Sequence, residues 1–479
     1  MARKMLQFTR LDQKMPVKRD PAERNEDFDE ISLAFAKDAA HEQASRCEQC
    51  GVPFCQIGCP LGNNIPDWLM LAADDRMEEA YATSASTNTF PEICGRICPQ
   101  DRLCEGLCVL EQSKHGAVTI GAMEKHITEF AFSQGWVKAV KPVKELEQSV
   151  GIVGGGPAGM AAAQALRSQG YQVTIYDRHD RFGGLLVYGI PSFKLEKSVV
   201  ERRVKLLADS GVAFKPNTEI GKDISFSDLR KRHDAVLVAT GAYKSRQLTL
   251  PGVGVDGVVQ ALDYLIASNK VGLGVKVEAF ENGTLDAQDK HVVVIGGGDT
   301  AMDCVRTAVR QGAKSVKCLY RRDRGNMPGS QREVSNAEEE GVEFVWMASP
   351  EAILGDARVS GVRAHKMHLS VADASGRQTP VPIEGSSFTL PADLVVTALG
   401  FDPEDIPAKF KQPGLAVTKW GTLTVDDRTK TMTSLDGVFA AGDIVRGPSL
   451  VVWAIRDGRE AASAIDRYIR SKNKAQAAE

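Results

Sequence analysis

The chain has 479 residues, 43% hydrophobic and 25% charged, with 44 glycines. That is ordinary globular composition, long enough for roughly two to four domains and more than one core. A net charge of -3 excludes a strong general attraction to nucleic acid or anionic membrane, and no run of about 18 uninterrupted apolar residues offers a membrane span.

The start is mildly basic, with Arg3, Lys4, Lys14, Lys18 and Arg19. It reads as a solvated arm, with a docking or lipid-contact arm as the alternative. It lacks an apolar core followed by a small-residue cleavage site, so the expected compartment is the cytoplasm. Residues 1–145 read as a mostly helical, cysteine-bearing region, with helical segments expected over 27–48, 65–84 and 118–136. A charged linker follows at 138–148.

Eight of the ten cysteines lie between Cys47 and Cys108; Cys304 and Cys318 stand apart and read as ordinary buried thiols. The runs are Cys47-x2-Cys50-x4-Cys55-x3-Cys59-Pro60 and Cys94-x3-Cys98-Pro99, continuing x5-Cys104-x3-Cys108. A large chain without a secretion signal does not need disulfide staples. Thiolates at short loop spacings are the soft ligands an iron–sulfur cluster takes. Structural zinc is the competing reading, but zinc carries no electrons, and the downstream motifs are those of redox cofactors. Arithmetic divides eight cysteines into two sets of four without saying which four.

A strand at 149–153, a glycine turn, a helix near 158–168 and a strand at 172–176 make a βαβ unit opening a parallel sheet. The turn is Gly154-x-Gly156-Pro157-Ala158-Gly159, in the strand-to-helix context a dinucleotide fingerprint requires. Its glycines admit a pyrophosphate close to the backbone, and the helix N-terminus holds the charge. Asp177 ends the second strand, placed to accept from ribose hydroxyls, with Arg178 beside it. Gly183-Gly184-x-Leu186 follows shortly. Another apolar strand ends at Ala239-Thr240-Gly241.

The pattern then repeats. A strand at 291–295 runs into Gly296-x-Gly298-Asp299-Thr300-Ala301, a helix runs to about 311, and a strand at 315–320 ends in Arg321-Arg322. An acid there would bind the free 2′-hydroxyl of NAD, whereas arginines suit the 2′-phosphate of NADP. The strand at 393–400 echoes the one ending at Gly241. The tail has too few units for a third such fold, so it is expected to complete the first. There a strand ends in Gly442-Asp443 and a helix begins near Leu450. A domain closed by so remote a segment suggests FAD.

The expected fold is therefore multidomain. A helical iron–sulfur domain at 1–145 precedes two Rossmann-like, three-layer α/β domains, the second inserted in the first. The FAD-binding domain spans 146–255 and 401–479, and the NADPH-binding domain spans 256–400.

These motifs together resemble the small-subunit family of bacterial NADPH-dependent glutamate synthase. The residues carrying the likeness are Cys47-Glu48-Gln49-Cys50 through Pro60, Pro91 to Pro99, Val150 to Gly159, Gly183-Gly184, Gly296 to Asp303, and Ala440 to Asp443. The N-terminal part is also similar to a region of dihydropyrimidine dehydrogenase. The resemblance implies two [4Fe-4S] clusters with interleaved ligands. Cys47, Cys50, Cys55 and Cys108 would hold one. Cys59, Cys98 and Cys104 would hold the other, with Glu124 standing where the related dehydrogenase has a glutamine ligand, and Cys94 spare beside them. It implies that NADPH is oxidised at FAD and that electrons cross the clusters to FMN in a large subunit, where glutamine and 2-oxoglutarate become glutamate. A reductase feeding another acceptor, such as a pyrimidine-reducing partner, and a non-catalytic scaffold are the competing readings. No side chain is expected to act as an acid or base, because the cofactors carry this chemistry.

Overall fold

The computed structural model describes residues 5–373, 378–426 and 431–476. Arg3 and Lys4 lie outside them.

The N-terminal region packs short helices around Trp68, Leu69, Met77, Met123 and Ile127. The expected helix over 27–48 forms only at Lys37–Ser45. Residues 27–36 are extended instead, because Ile31 donates its N–H to the Phe193 carbonyl and Lys18 bridges Ser32 across the segment. The stretch 65–84 is two helices, Ile65–Ala73 and Met77–Thr87, broken where Asp75 takes a φ of 62°. The third forms as Ile120–Ser133.

Lys14 is exposed, as a solvated arm would have it, but from Lys18 onward the basic start is held down. Lys18 pairs with Glu339 at 2.8 Å and Arg19 pairs with Asp27. Arg24 is fully buried between Glu339, at 2.6 Å, and Glu340, at 3.4 Å. Tertiary acids more than 300 positions away decide its path.

Two five-stranded parallel sheets follow. The first sets Ser149–Val153 between Gln172–Tyr176 and Ala235–Val238, with Ala213–Lys215 at one edge and Val438–Ala440 at the other. Val150, Ile152, Val173 and Ile175 face the helices Pro157–Ser168 and Val451–Gln476. Val153, Tyr176, Val236 and Val438 face Phe226, Leu229 and Phe410. The tail thus completes the first sheet, as its motif suggested.

The second sheet runs Val258–Gln260, Leu394–Thr397, His291–Ile295, Ser315–Tyr320, Glu343–Trp346. Alternate residues again face opposite layers. Val292, Val294 and Cys318 meet the helix Asp299–Arg310, whereas Val293, Ile295 and Leu319 meet an antiparallel sheet. That sheet is built from Ala348–Leu354, Gly361–Leu369, Pro380–Pro382 and Phe388–Pro391. The chain enters and leaves the second sheet's unit through one antiparallel pair, Lys244–Ser245 with Phe401–Asp402.

Candidate functional site

The cysteines gather into two groups. Cys47, Cys50, Cys55 and Cys108 line one small cavity floored by Leu69, Val118 and Ile120. Burial pushes Cys47 up to about 11 and Cys55 up to about 12, and each is pushed further by the charge of Cys108. Cys59, Cys98 and Cys104 form the second group. Burial raises Cys104 well above the usual thiol range, with Glu105, Cys59 and Glu124 adding to it. A bound metal centre would reverse these shifts by deprotonating the thiols. Four thiols facing one cavity are the soft donor set that an iron–sulfur cluster takes.

Glu124 lies in the second group. Its Oε1 accepts from Asn63 Nδ2 at 2.7 Å, Asn88 Nδ2 at 3.0 Å and Ser84 Oγ at 3.3 Å, and burial lifts its carboxyl to about 7. Three donors on one oxygen fix the carboxylate's orientation, and no protein donor reaches Oε2 among the described residues. Cys94 is buried against the group, with its Sγ 3.7 Å from Asn88 Oδ1 and its thiol in contact with that of Cys98. Cys304 and Cys318 are both fully buried in the second parallel sheet's core, as expected.

A cavity of about 610 Å³ joins all three regions. Cys98 and Pro99 border it from the cysteine region; Gly154, Gly156, Pro157, Ala158, Asp177, Arg178, Gly184 and Leu186 from the first fingerprint region; Gly442 and Asp443 from the tail; Asp299 and Thr300 from the second fingerprint. Gly154 has a φ of +107°, and a Cβ there would meet Ala239 O at 2.3 Å; one at Gly159 would meet Gly154 O at 2.1 Å. Those two glycines serve the tight turn. Gly156 has nothing within 4 Å of where a Cβ would stand, so its backbone is open to a pyrophosphate. The second fingerprint repeats this division: Gly296 is pressed against Ala398 O and Gly298 is open.

Asp177 borders the cavity with its carboxylate already in use. Oδ2 accepts from Gly155 N at 2.7 Å and Oδ1 from His179 N at 2.9 Å. A carboxylate has about four acceptor sites, so it can hold the turn and a ribose hydroxyl together. Arg178 is engaged by Glu404 at 2.9 Å and lies 4.8 Å from the centre of the Tyr243 ring, a pairing the sequence did not suggest. Burial lifts Asp443 to about 7.

Arg321 and Arg322 stand at the strand end, outside the cavity wall. Arg321 is exposed, and neither forms an ion pair among the described residues; Arg322 donates only to Gln378 O, at 3.2 Å. Arg324, by contrast, is neutralised by Glu338 at 2.7 Å. Two guanidiniums without an ion pair among the described residues fit a 2′-phosphate at this position.

Sequence reasoning missed Lys194, Asp303 and Glu333. All three border the cavity, with Lys194 Nζ 2.9 Å from Asp303 and 3.5 Å from Glu333. No periodicity or motif marks a pair 109 positions apart.

A family described as pyridine nucleotide-disulphide oxidoreductase matches residues 148–458, and one described as dihydropyrimidine dehydrogenase domain II, 4Fe-4S cluster, matches residues 24–136. The chain is 66% identical over 472 residues to the glutamate synthase [NADPH] small chain of Azospirillum brasilense, covering 98% of each. It is 44% identical to the protein of that name from Escherichia coli, covering 98% of this chain and 100% of that one. A putative oxidoreductase of Escherichia coli is 46% identical, covering 94% of this chain and 69% of that one. Among solved structures, Mycobacterium tuberculosis FprA in complex with NADPH superposes with a TM-score of 0.58 at 21% identity, over 69% of this chain and 86% of that one. That likeness concerns the fold.

Proposed function

Because the chain belongs to the family of NADPH-dependent glutamate synthase small chains, we propose that it works as the electron-input subunit of such an enzyme. It is an NADPH-dependent oxidoreductase with FAD and [4Fe-4S] clusters. Bound FAD would supply the exchange between two-electron hydride chemistry and the single-electron chemistry of the clusters. The chain itself supplies binding, orientation and exclusion of water.

The observation that carries the reading is the single cavity bordered by both fingerprints and by Cys98. Residues of both fingerprints and a cysteine of the second group line it together, which supports the reading. Gly156 and the helix behind it would hold the FAD pyrophosphate. Gly298, Asp299 and Thr300 would receive that of NADPH, with Arg321 and Arg322 on its 2′-phosphate. The two cysteine groups would hold two clusters, Glu124 completing the second. Domain limits at 145, 255 and 400 are proposed with them; the antiparallel pair at 244–245 and 401–402 supports the last two.

The acceptor is proposed to be an FMN-bearing large subunit that forms glutamate from glutamine and 2-oxoglutarate, and the compartment the cytoplasm. No helix of the described residues is long and apolar enough to cross a membrane. The likeness to a longer putative oxidoreductase favours one second reading, a reductase module serving a different acceptor.

Anaerobic protein should contain about eight irons and eight sulfides per chain, and NADPH should bleach its flavin in stopped flow. Adding the large subunit should then produce glutamate. Zinc in place of iron, or flavin that stays oxidised, would end the proposal; bleaching without glutamate would favour the second reading. Neutralising Arg321 and Arg322 should raise KM for NADPH roughly 10- to 100-fold, the scale of one lost charge-assisted contact, and leave that for NADH nearly unchanged. Equal effects on both nucleotides would move the 2′-phosphate site elsewhere.

A further inference from the structure

Lys194 belongs to the first α/β unit, in the segment between the Gly183-Gly184 turn and the helix Lys197–Asp209. Its ammonium reaches across the cavity wall into the second unit, 2.9 Å from Asp303 and 3.5 Å from Glu333. Asp303 sits one turn into the helix Asp299–Arg310, whose N-terminus is the second fingerprint. All three side chains are largely buried, at 12%, 9% and 17% exposure. A long lysine chain held this way gives up rotamer freedom, so its fixed placement needs compensation from both carboxylates.

The surroundings hold the segment rigid on either side. Lys197 is buried and donates to Leu186 O at 3.2 Å and to Ile190 O. Phe193, immediately before Lys194, carries the guanidiniums of Arg306 and Arg310 over its ring at 4.5 and 4.1 Å. Both arginines lie on the helix that bears Asp303. The second unit is also joined to the first by the antiparallel pair at 244–245 and 401–402 and by Asn269, whose Nδ2 donates to Tyr188 O at 3.0 Å, on a helix whose Ile266 packs against the first unit's core.

We infer that Lys194 is a positioning residue for hydride transfer: through Asp303 and Glu333 it seats the nucleotide-carrying unit at the one attitude that brings the nicotinamide against the flavin. The inference rests on the reading that NADPH reduces FAD here. Hydride transfer needs near-contact geometry, and a misplacement of about 1 Å can cost about 100-fold in rate. An electron hop to the clusters has no such requirement.

The test is anaerobic stopped-flow reduction of the full-length holoprotein, with FAD and iron content measured on each sample. Lys194→Met should lower the limiting rate of flavin bleaching by about 100-fold at normal FAD content, while the NADPH concentration for half-maximal rate barely moves. Asp303→Asn should fall in the same direction, Lys194→Arg should keep most of the rate, and Lys194→Asp combined with Asp303→Lys should recover part of it. An unchanged limiting rate at full FAD occupancy overturns the inference, and so does a faster one, which would make the contact a brake. If Lys194→Met fails to hold FAD, Asp303→Asn decides, because it leaves the flavin-binding unit intact. Failure of NADPH to bleach wild-type flavin would instead defeat the functional reading itself.

Discussion

The first α/β unit meets its two neighbours by different physics. Against the cysteine region it is welded. Phe90, Ile93 and Cys94 belong to the same hydrophobic core as Val150, Ile152 and Val173. Within that junction Arg203 grips Glu92 with two hydrogen bonds, of 2.6 and 2.9 Å, and both side chains are sealed from solvent. Against the second α/β unit the contact is lighter and more polar. That unit has cores of its own; Lys194 on Asp303 and Asn269 on Tyr188 O tie it to the first unit, and Ile266 and Leu273 reach the edge of the first unit's core, while the cysteine region adds Asp101 on Ser330 and Gln331 at 3.0 Å, Arg332 on Glu105, and Lys18 and Arg24 on Glu339. Shared apolar cores resist sliding, whereas ion pairs across a seam can be made and broken. The weld suits electrons that must cross a constant gap many times. The docked seam suits a partner that has to admit a fresh nucleotide each turnover.

The largest expected effect lies in the weld. Glu92→Ala would leave the Arg203 charge buried and unpaired, a change worth about 3–5 kcal/mol. Denaturation followed by flavin fluorescence and retained iron should show it. A loss under about 1 kcal/mol, the scale of an exposed pair, would erase the contrast between the two faces.

A middle-sized effect is expected at Asp303. Burial lifts its carboxyl to about 6, outweighing Lys194, which pulls the other way, while Glu333 and Asp299 push it further up. Lys194 is itself driven up by the same acids, so the pair is ionic at neutral pH. Between about 4 and 6 the folded chain holds a proton here that the unfolded chain has released. The group's contribution to stability is therefore complete below the unfolded value of 3.8 and is lost as pH rises through 6, on the order of 1–3 kcal/mol. Asp303→Asn should flatten that part of the melting curve against pH. An identical pH profile in the variant would show that Asp303 is ionised throughout.

The smallest effect belongs to the rim of the seam. Lys18 and Glu339 are 38% and 41% exposed, so Lys18→Ala should cost no more than about 1 kcal/mol and less in high salt. A cost matching that of Glu92→Ala would mean the seam is welded as well.

Much of the architecture was legible in the chain because parallel strands buried on both faces read as unbroken apolar runs. Ala235–Val238 and Leu394–Thr397 needed no partner to be recognised. The glycine fingerprints were legible because each glycine answers a local steric demand. Residues 27–36 misled for the opposite reason. Phe28, Ile31 and Phe35 fall at helical spacing, yet their burial comes from distant residues such as Phe193, whose ring lies 6.2 Å from that of Phe28. The antiparallel sheet was not anticipated, although Gly361–Leu369 alternates in burial over part of its length. The division of the cysteines came only from a family likeness, since spacing alone leaves many pairings open. Lys194 with Asp303 had no sequence signal: an ion pair between units is a property of how they sit.

The pairing of Val438–Ala440 with Ala235–Val238 also sets an order of events on the ribosome. The second parallel sheet has all its strands once Thr397 has emerged, whereas the first still lacks its edge strand. The inserted unit can therefore fold while the unit around it waits. Once folded, it holds Ser245 beside Phe401, so a long excursion of chain becomes a short one, and the entropy of closing it has already been spent when the last strand arrives. A nascent chain halted before residue 438 should carry a nucleotide unit that is already protease-resistant and a flavin unit that is not.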